Sequence, residues 1–247
     1  MPAIKIHNQY LNNIDWVSGS GCDYAMGNHV DIWRINITSN LSFLNTFLTI
    51  MHPDEIARAN RYFHIRDKNR FIVSRGALRN ILGKYLNLQP SAVEFEVGPN
   101  KKPYIKSNAG NTLCYNLSHS GDWILLAVSN SEIGADTEFI NNSYGYKDVL
   151  QDNFSNKEIT YINQASSIER FFMLWTRKEA LTKATGKGLD EDLKLIPCLD
   201  GDHFADSDII SSTNDWLVST FKINGQYLAS VASNPKMGLA RFWDIYF

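Results

Sequence analysis

The sequence predicts an α+β chain built from two similar halves that divide near residue 130. Three observations predict it. Val30-Asp31-Ile32-Trp33-Arg34-Ile35 alternates with the period of a half-buried strand. Phe71, Leu78, Leu82 and Leu86 recur instead at helical spacing. The order then repeats: Asp54-Glu55-Ile56 and, later, Arg70-Phe71 opening a long helix are echoed by Lys157-Glu158-Ile159 and Arg170-Phe171. Each long helix leads into a stretch ending in strand signals, as a duplicated supersecondary unit would.

The elements follow in order. Residues 1–50 read as mixed and β-rich. Pro53 opens a helix at its tolerated first-turn position, with Asp54 and Glu55 placed for the positive end of the helix dipole. A longer helix is expected over 67–86, a strand over 93–97 and a turn at Gly98-Pro99-Asn100. The stretches 113–129 and 133–139, separated by Asn130, Ser131 and Glu132, read as a strand–turn–strand hairpin. The polar, turn-rich 140–153 reads as an exposed loop. Ser155-Asn156-Lys157-Glu158 is a capping box that starts a helix, because Ser155 and Glu158 can satisfy each other's amides. A helix within 169–189 is ended by Gly186 and Gly188, and 216–230 reads as paired strands around the hairpin turn Asn224-Gly225.

The chain has 247 residues and a formal net charge of −2, unevenly spread. Residues 58–106 hold eleven Lys and Arg against three acids, and 190–247 hold nine acids against four bases. A basic segment in a near-neutral protein points to a local polyanion, such as a phosphorylated small molecule, rather than to a nucleic-acid coat. The same charges also suit a solvated helix face. Three widely separated cysteines, Cys22, Cys114 and Cys198, fit packing roles in a reducing compartment, with no disulfide framework or metal knuckle. The first residues lack the apolar core of a signal peptide and no run approaches a membrane span. The expectation is a cytoplasmic protein that binds neither membrane nor nucleic acid.

Three stretches carry chemistry-bearing residues. In 169–189, Trp175, Glu179 and Lys183 fall one turn apart on one helix face, either as a surface ion pair or as an acid–base couple facing a ligand. In Asp136-Thr137-Glu138, residues i and i+2 of a strand point the same way, roughly 6–7 Å apart. Two carboxylates so placed can share a hard cation such as Mg²⁺, which takes oxygen ligands and substrate phosphates, or can simply mark a solvated strand end. Asn116-Leu117-Ser118-His119-Ser120 offers hydroxyls and an imidazole that could grip a phosphate or close a hydrogen-bonded turn. Lys101-Lys102-Pro103 precedes it.

The order K-P, N-L-S-H-S-G, I-G-A-D-x-E and W-x-x-K-E-A-x-x-K-x-x-G-K-G, over residues 54–189, resembles the Sfp-type 4′-phosphopantetheinyl transferases. These activate carrier proteins of fatty-acid, polyketide and non-ribosomal peptide synthesis. The resemblance implies two similar α/β halves with pseudo-twofold symmetry and the active site between them. Residues 1–129 would form the coenzyme A 3′-phosphate and adenine side, and 130–247 the magnesium and diphosphate side. The implied reaction moves phosphopantetheine from coenzyme A to a serine of an apo acyl or peptidyl carrier protein, with Mg²⁺, releasing 3′,5′-ADP.

Carried over, the resemblance makes Asp136, Glu138 and Glu179 the magnesium ligands and Lys183 the diphosphate contact. Glu179 is also the candidate base for the serine proton, directly or through a water. Ser118 and His119 would lie at the nucleotide end, His119 near the 3′-phosphate. Lys102 would border the adenine and phosphates, and Arg58 and Arg70 would approach the 3′-phosphate. The enzyme is expected to be a monomer. Two positions depart from the family pattern: Thr137, where an aliphatic residue is common, and Lys101, where glycine is usual. Thr137 is expected to face away from the metal.

Overall fold

The computed structural model describes residues 3–98, 102–106, 113–188 and 191–247, with Glu191 as backbone alone. The turn expected at Pro99-Asn100, the departure at Lys101 and Leu189, the last residue of the 169–189 stretch, lie outside the described residues. The chain begins with β1 (Ala3–Tyr10), β2 (Val17–Ser18) and β3 (His29–Asn36). The helices α1 (Leu44–Ile50), α2 (Pro53–Ala59) and α3 (Ile65–Leu86) follow, then β4 (Phe95–Val97) and β5 (Pro103–Ile105). Next come β6 (Cys114–Ser120), β7 (Trp123–Ser129) and β8 (Ile133–Phe139), and the helices α4 (Leu150–Asn153), α5 (Asn156–Ile162) and α6 (Ser167–Thr185). The chain closes with β9 (Gly201–Asp206), α7 (Ser207–Ile210), β10 (Trp216–Asn224), β11 (Tyr227–Ser233) and β12 (Leu239–Ile245).

Two five-stranded sheets form the body, in the orders β2-β12-β3-β7-β6 and β8-β11-β10-β1-β9. Alternate residues sort the layers, because successive side chains of a strand point to opposite faces. Trp33, Ile35, Ile124 and Leu126 bury against α3, while Val30, Ile32, Leu125 and Ala127 meet Ala135, Phe221 and Val231 of the other sheet. On that sheet's outer face, Ile6, Trp216 and Val218 pack against Ala180, Leu181 and Ala184 of α6.

The termini cross between the sheets. β1 pairs in parallel with β10, in the sheet otherwise formed from the second half, and β12 pairs in parallel with β3, in the other. The second crossing is fixed by Asp31, which is buried on β3. It accepts from Arg241 Nε at 2.7 Å, Trp243 Nε1 at 2.7 Å and Tyr85 Oη at 2.5 Å, so β12, β3 and α3 share one carboxylate. The strand over Val30–Ile35 is therefore not half-buried. It runs between β12 and β7, with residues 30–33 all buried.

The echo read in the sequence has a physical counterpart. Glu55, in the first turn of α2, is buried and accepts from Arg79 Nε of α3 at 2.7 Å, and Arg79 Nη1 donates to Pro90 O and Val93 O at 3.1 and 2.8 Å. Glu158, in the first turn of α5, pairs with the buried Lys178 Nζ of α6 at 3.1 Å, and Lys178 donates to Leu193 O and Ile196 O at 2.9 and 2.6 Å. Part of the basic excess of 58–106 is thus structural: Arg75 also pairs with Glu55, and neither it nor Arg79 is a solvated charge.

Other expectations are met or corrected locally. The capping box forms, with Ser155 N donating to Glu158 Oε2 at 2.8 Å. Gly186 ends α6 at φ 72°, a conformation that suits a residue without Cβ. β10 and β11 pair around the turn at Gly225. The hairpin expected of 113–129 with 133–139 does not form. β6 and β7 pair with each other through the turn at Gly121-Asp122, and β8 crosses to the other sheet, where it pairs with β11. The segment 140–153 is not a plain exposed loop, because Tyr146 and Leu150 bury against Phe171 and α4 forms there. Cys22 and Cys198 are buried free thiols and Cys114 is half-buried. Among the described residues no helix is long and apolar enough to cross a membrane.

Candidate active site

β6 and β8 are edge strands of different sheets, and their edges meet. Side chains take the place of a backbone ladder there. Asn116 Oδ1 accepts from Ala135 N at 2.9 Å, Ser118 Oγ from Thr137 N at 3.4 Å and Ser120 Oγ from Phe139 N at 3.0 Å. Residues i, i+2 and i+4 of a strand share a face, so one face of β6 holds one edge of β8. Tyr227 Oη accepts from Asp122 N at 3.1 Å and closes the seam at the β6–β7 turn.

Over this seam lies α6. Gly134 permits the approach: a Cβ there would collide with the carbonyl of Ala180 and the backbone of Ala184. With α6 so close, Lys183 Nζ reaches Asp136 Oδ1 at 2.6 Å and stands 4.0 Å from Glu179 Oε2. Ser118 Oγ donates to Asp136 Oδ1 at 2.9 Å, and Ser120 Oγ to Glu138 Oε2 at 2.7 Å. Thr137 turns the other way and donates to Leu228 O at 3.1 Å. Trp175, a turn before Glu179, stacks on Phe171 at 5.8 Å and acts in packing.

The electrostatics are those of acids crowded out of water. Burial, with Asp136 as the nearest repelling charge, pushes Glu179 up to about 7. Burial and then Asp136 likewise raise Glu138. Asp136 itself is raised by burial, against the pull of Lys183 and the Ser118 hydroxyl. Burial opposes the charge on Lys183, but Asp136 and the two glutamates outweigh it and hold its pKa high. Among the described residues, Asp136 Oδ2 is buried without a hydrogen-bond partner. Lys183 occupies the middle of the group, and among those residues no three ligand side chains yet converge as a metal cage would.

The other expected residues divide among three places. His119, on the opposite face of β6 from Ser118, is exposed. Desolvation and then the Arg70 charge hold its imidazole below the usual value. Arg70 itself pairs with Asp67 at 2.8 Å. Arg58 stands apart, its guanidinium 5.2 Å from the Phe71 ring, in a cavity of 480 Å³ that Arg61, Arg75 and Phe95 also line. Lys102 Nζ donates to Ala184 O at 2.6 Å, which ties β5 to the last turn of α6 beside a 320 Å³ cavity lined by Tyr115, Glu132 and Thr185. The sequence had set Lys178 beside Glu179; the structure buries it in the pin with Glu158, away from the acids. The sequence reads Ser120 and Asn116 as part of a phosphate grip or turn, not as the residues that hold β8. Their signal was the period-two N-x-S-x-S on a strand, a pattern that names a face without naming its neighbour.

The seam thus sets three acids and a cation over the polar face of β6. The chain belongs to the 4′-phosphopantetheinyl transferase superfamily, whose model matches residues 132–232, while the N-terminal 4′-phosphopantetheinyl transferase model matches 38–131. It is 34% identical to the 4′-phosphopantetheinyl transferase HetI of Nostoc sp., over 66% of this chain and 71% of that one. It is 28% identical to a 4′-phosphopantetheinyl transferase of Bacillus subtilis, over 72% and 80% of the two chains. The Bacillus subtilis enzyme Sfp is 24% identical over 76% and 85%.

Proposed function

We propose that this chain moves the 4′-phosphopantetheine of coenzyme A onto a serine hydroxyl of an apo acyl or peptidyl carrier protein, with Mg²⁺, releasing 3′,5′-ADP. The observation that carries this reading is the seam cluster, with Lys183 against Asp136 and Glu179, Glu138 two residues along β8 and held by Ser120, and Asp136 Oδ2 buried and unpaired among the described residues. All three acids are hard oxygen donors, the type that Mg²⁺ takes. Burial raises all three, and the Asp136 charge adds to the rise of Glu138 and Glu179, so a bound cation would relieve the group. Asp136, Glu138 and Glu179 would hold the ion, which when bound supplies charge neutralisation at the diphosphate.

The chain's own groups do the rest. Phosphoryl-type transfer depends mainly on positioning and electrostatics. Lys183, fixed by Asp136, faces the acids as a permanent cation and can stabilise the leaving 3′,5′-ADP. Glu179 is the candidate acceptor for the serine proton, directly or through a water. His119 and Arg70 would meet the 3′-phosphate, a reading supported by the Arg70 charge felt at His119, with Arg58 in a basic cavity and Lys102 on the adenine side. Ser118 would stand between the nucleotide and Asp136. In this reading residues 1–129 serve the nucleotide and 130–247 the metal and diphosphate. The enzyme works as a monomer in the cytoplasm, touching neither membrane nor nucleic acid.

Incubation with coenzyme A, Mg²⁺ and a panel of apo carrier proteins tests the proposal by intact mass. A phosphopantetheine-sized gain on a carrier is the expected result. Free phosphopantetheine with no gain on any carrier would make the protein a hydrolase instead. Binding of coenzyme A with no turnover would make it a binding module.

A further inference from the structure

Ser118 and Ser120 hold β8 in the same way, two residues apart on each strand. Ser118 Oγ accepts from Thr137 N and donates to the carboxylate of Asp136. Ser120 Oγ accepts from Phe139 N at 3.0 Å and donates to the carboxylate of Glu138 at 2.7 Å. A hydroxyl carries one proton, so a backbone N–H on its lone pair leaves that proton to the acid. Each serine thus grips a carboxylate and the next residue's amide together.

The two acids differ in what else holds them. Asp136 is deeply buried and also bound by Lys183, whereas Glu138 is half-buried at the open end of β8. Among the described residues, the Ser120 hydroxyl is the group that hydrogen-bonds the Glu138 side chain. A glutamate has more torsions to fix than an aspartate, and an untethered one gives up that freedom whenever it ligates an ion. A hydroxyl already holding one oxygen removes part of that cost and orients the other.

We propose that Ser120 is a positioning residue for Glu138. It fixes Oε2 and so sets Oε1 for the cation that Asp136, Glu138 and Glu179 would hold. The inference rests on the metal reading above. Partners of this kind behind a metal ligand change ion affinity by about 10–100-fold when removed.

The test is Mn²⁺ binding to the full-length protein in the presence of coenzyme A, followed by electron paramagnetic resonance, with the melting temperature recorded beside it. Ser120→Ala should weaken Mn²⁺ about tenfold, with coenzyme A affinity in the absence of metal unchanged. Ser120→Thr, which keeps the hydroxyl, should restore binding, and Asp136→Ala should abolish it. Wild-type Mn²⁺ affinity in Ser120→Ala, with Asp136→Ala dead, would overturn the role of Ser120 and leave the metal reading standing. Equal weakening by Ala and Thr would also overturn it, as a packing effect. Wild-type binding by Asp136→Ala would instead remove the metal reading itself.

Discussion

In the first half, Glu55 from a short helix is buried against Arg79 of α3, and Arg79 holds the carbonyls of Pro90 and Val93. In the second, Glu158 is buried against Lys178 of α6, which holds those of Leu193 and Ile196. The pin is the same: an acid in a first helical turn, a cation on the long helix, and the turn beyond that helix tied down by carbonyls. What differs is how each long helix meets the strands. α6 presses on β8 at Gly134 and lays Glu179 and Lys183 over Asp136. α3 makes its close approach to α1 instead, where a Cβ on Gly76 would strike the Phe47 ring. The pin is a folding device shared by both halves. The acid cluster comes from the close packing that one half alone uses.

Removing the acid of either pin has the largest expected effect. Glu158→Ala leaves the Lys178 ammonium buried without its carboxylate and should cost about 3–5 kcal/mol in urea unfolding, since breaking a buried pair costs more than the pair contributes. Glu55→Ala should cost about as much, because it leaves Arg79, as buried as Lys178, without its carboxylate, and Arg75 alone can turn toward water. Gly134→Ala should cost about 3 kcal/mol, the upper end for overpacking, and lower carrier modification more than either pin variant that stays folded. Gly76→Ala should destabilise while sparing turnover of the folded fraction.

Two smaller effects sharpen the picture. Tyr227→Phe removes the acceptor for Asp122 N across the seam and should cost about 0.5–1.5 kcal/mol, with little change in melting cooperativity. The smallest effect concerns pH. Burial raises Glu55, but the Arg75 charge, the Arg79 hydrogen bond and the His52 amide outweigh it and hold the carboxyl below 4.5. A lowered carboxyl stabilises the fold fully above its unfolded value and loses that contribution as pH falls through the folded value. The stability advantage of wild type over Glu55→Gln should therefore be flat above pH 4.5 and shrink below it. An advantage that grew toward acid would contradict the pairing.

Much of this was legible because the signals were local. A capping box, a stop at Gly186 and an i, i+2 pair of acids need nothing but spacing, and each took its expected form. The crossing of β8 was not legible. Period-two patterning says which face of a strand is buried but not which strand lies beside it, and Asn130-Ser131-Glu132 has the composition of any hairpin turn. The exchange of β1 and β12 left no mark for a like reason, since Ile6 finds its partner at Trp216, 210 residues away. Lys178 shows the limit within a helix. A lysine amid apolar positions reads alike whether it faces a ligand or a buried glutamate, and the decision rests with Glu158, on another helix.

In the proposed reading the acids of β8 and α6 carry the transfer. Its most direct measurement is the intact mass of an apo carrier after incubation with coenzyme A and Mg²⁺, for wild type and for Asp136→Ala shown to be folded by its melting curve. The expected result is full modification by wild type and none by Asp136→Ala. Near-normal modification by Asp136→Ala, with Mg²⁺ the sole metal, would contradict it.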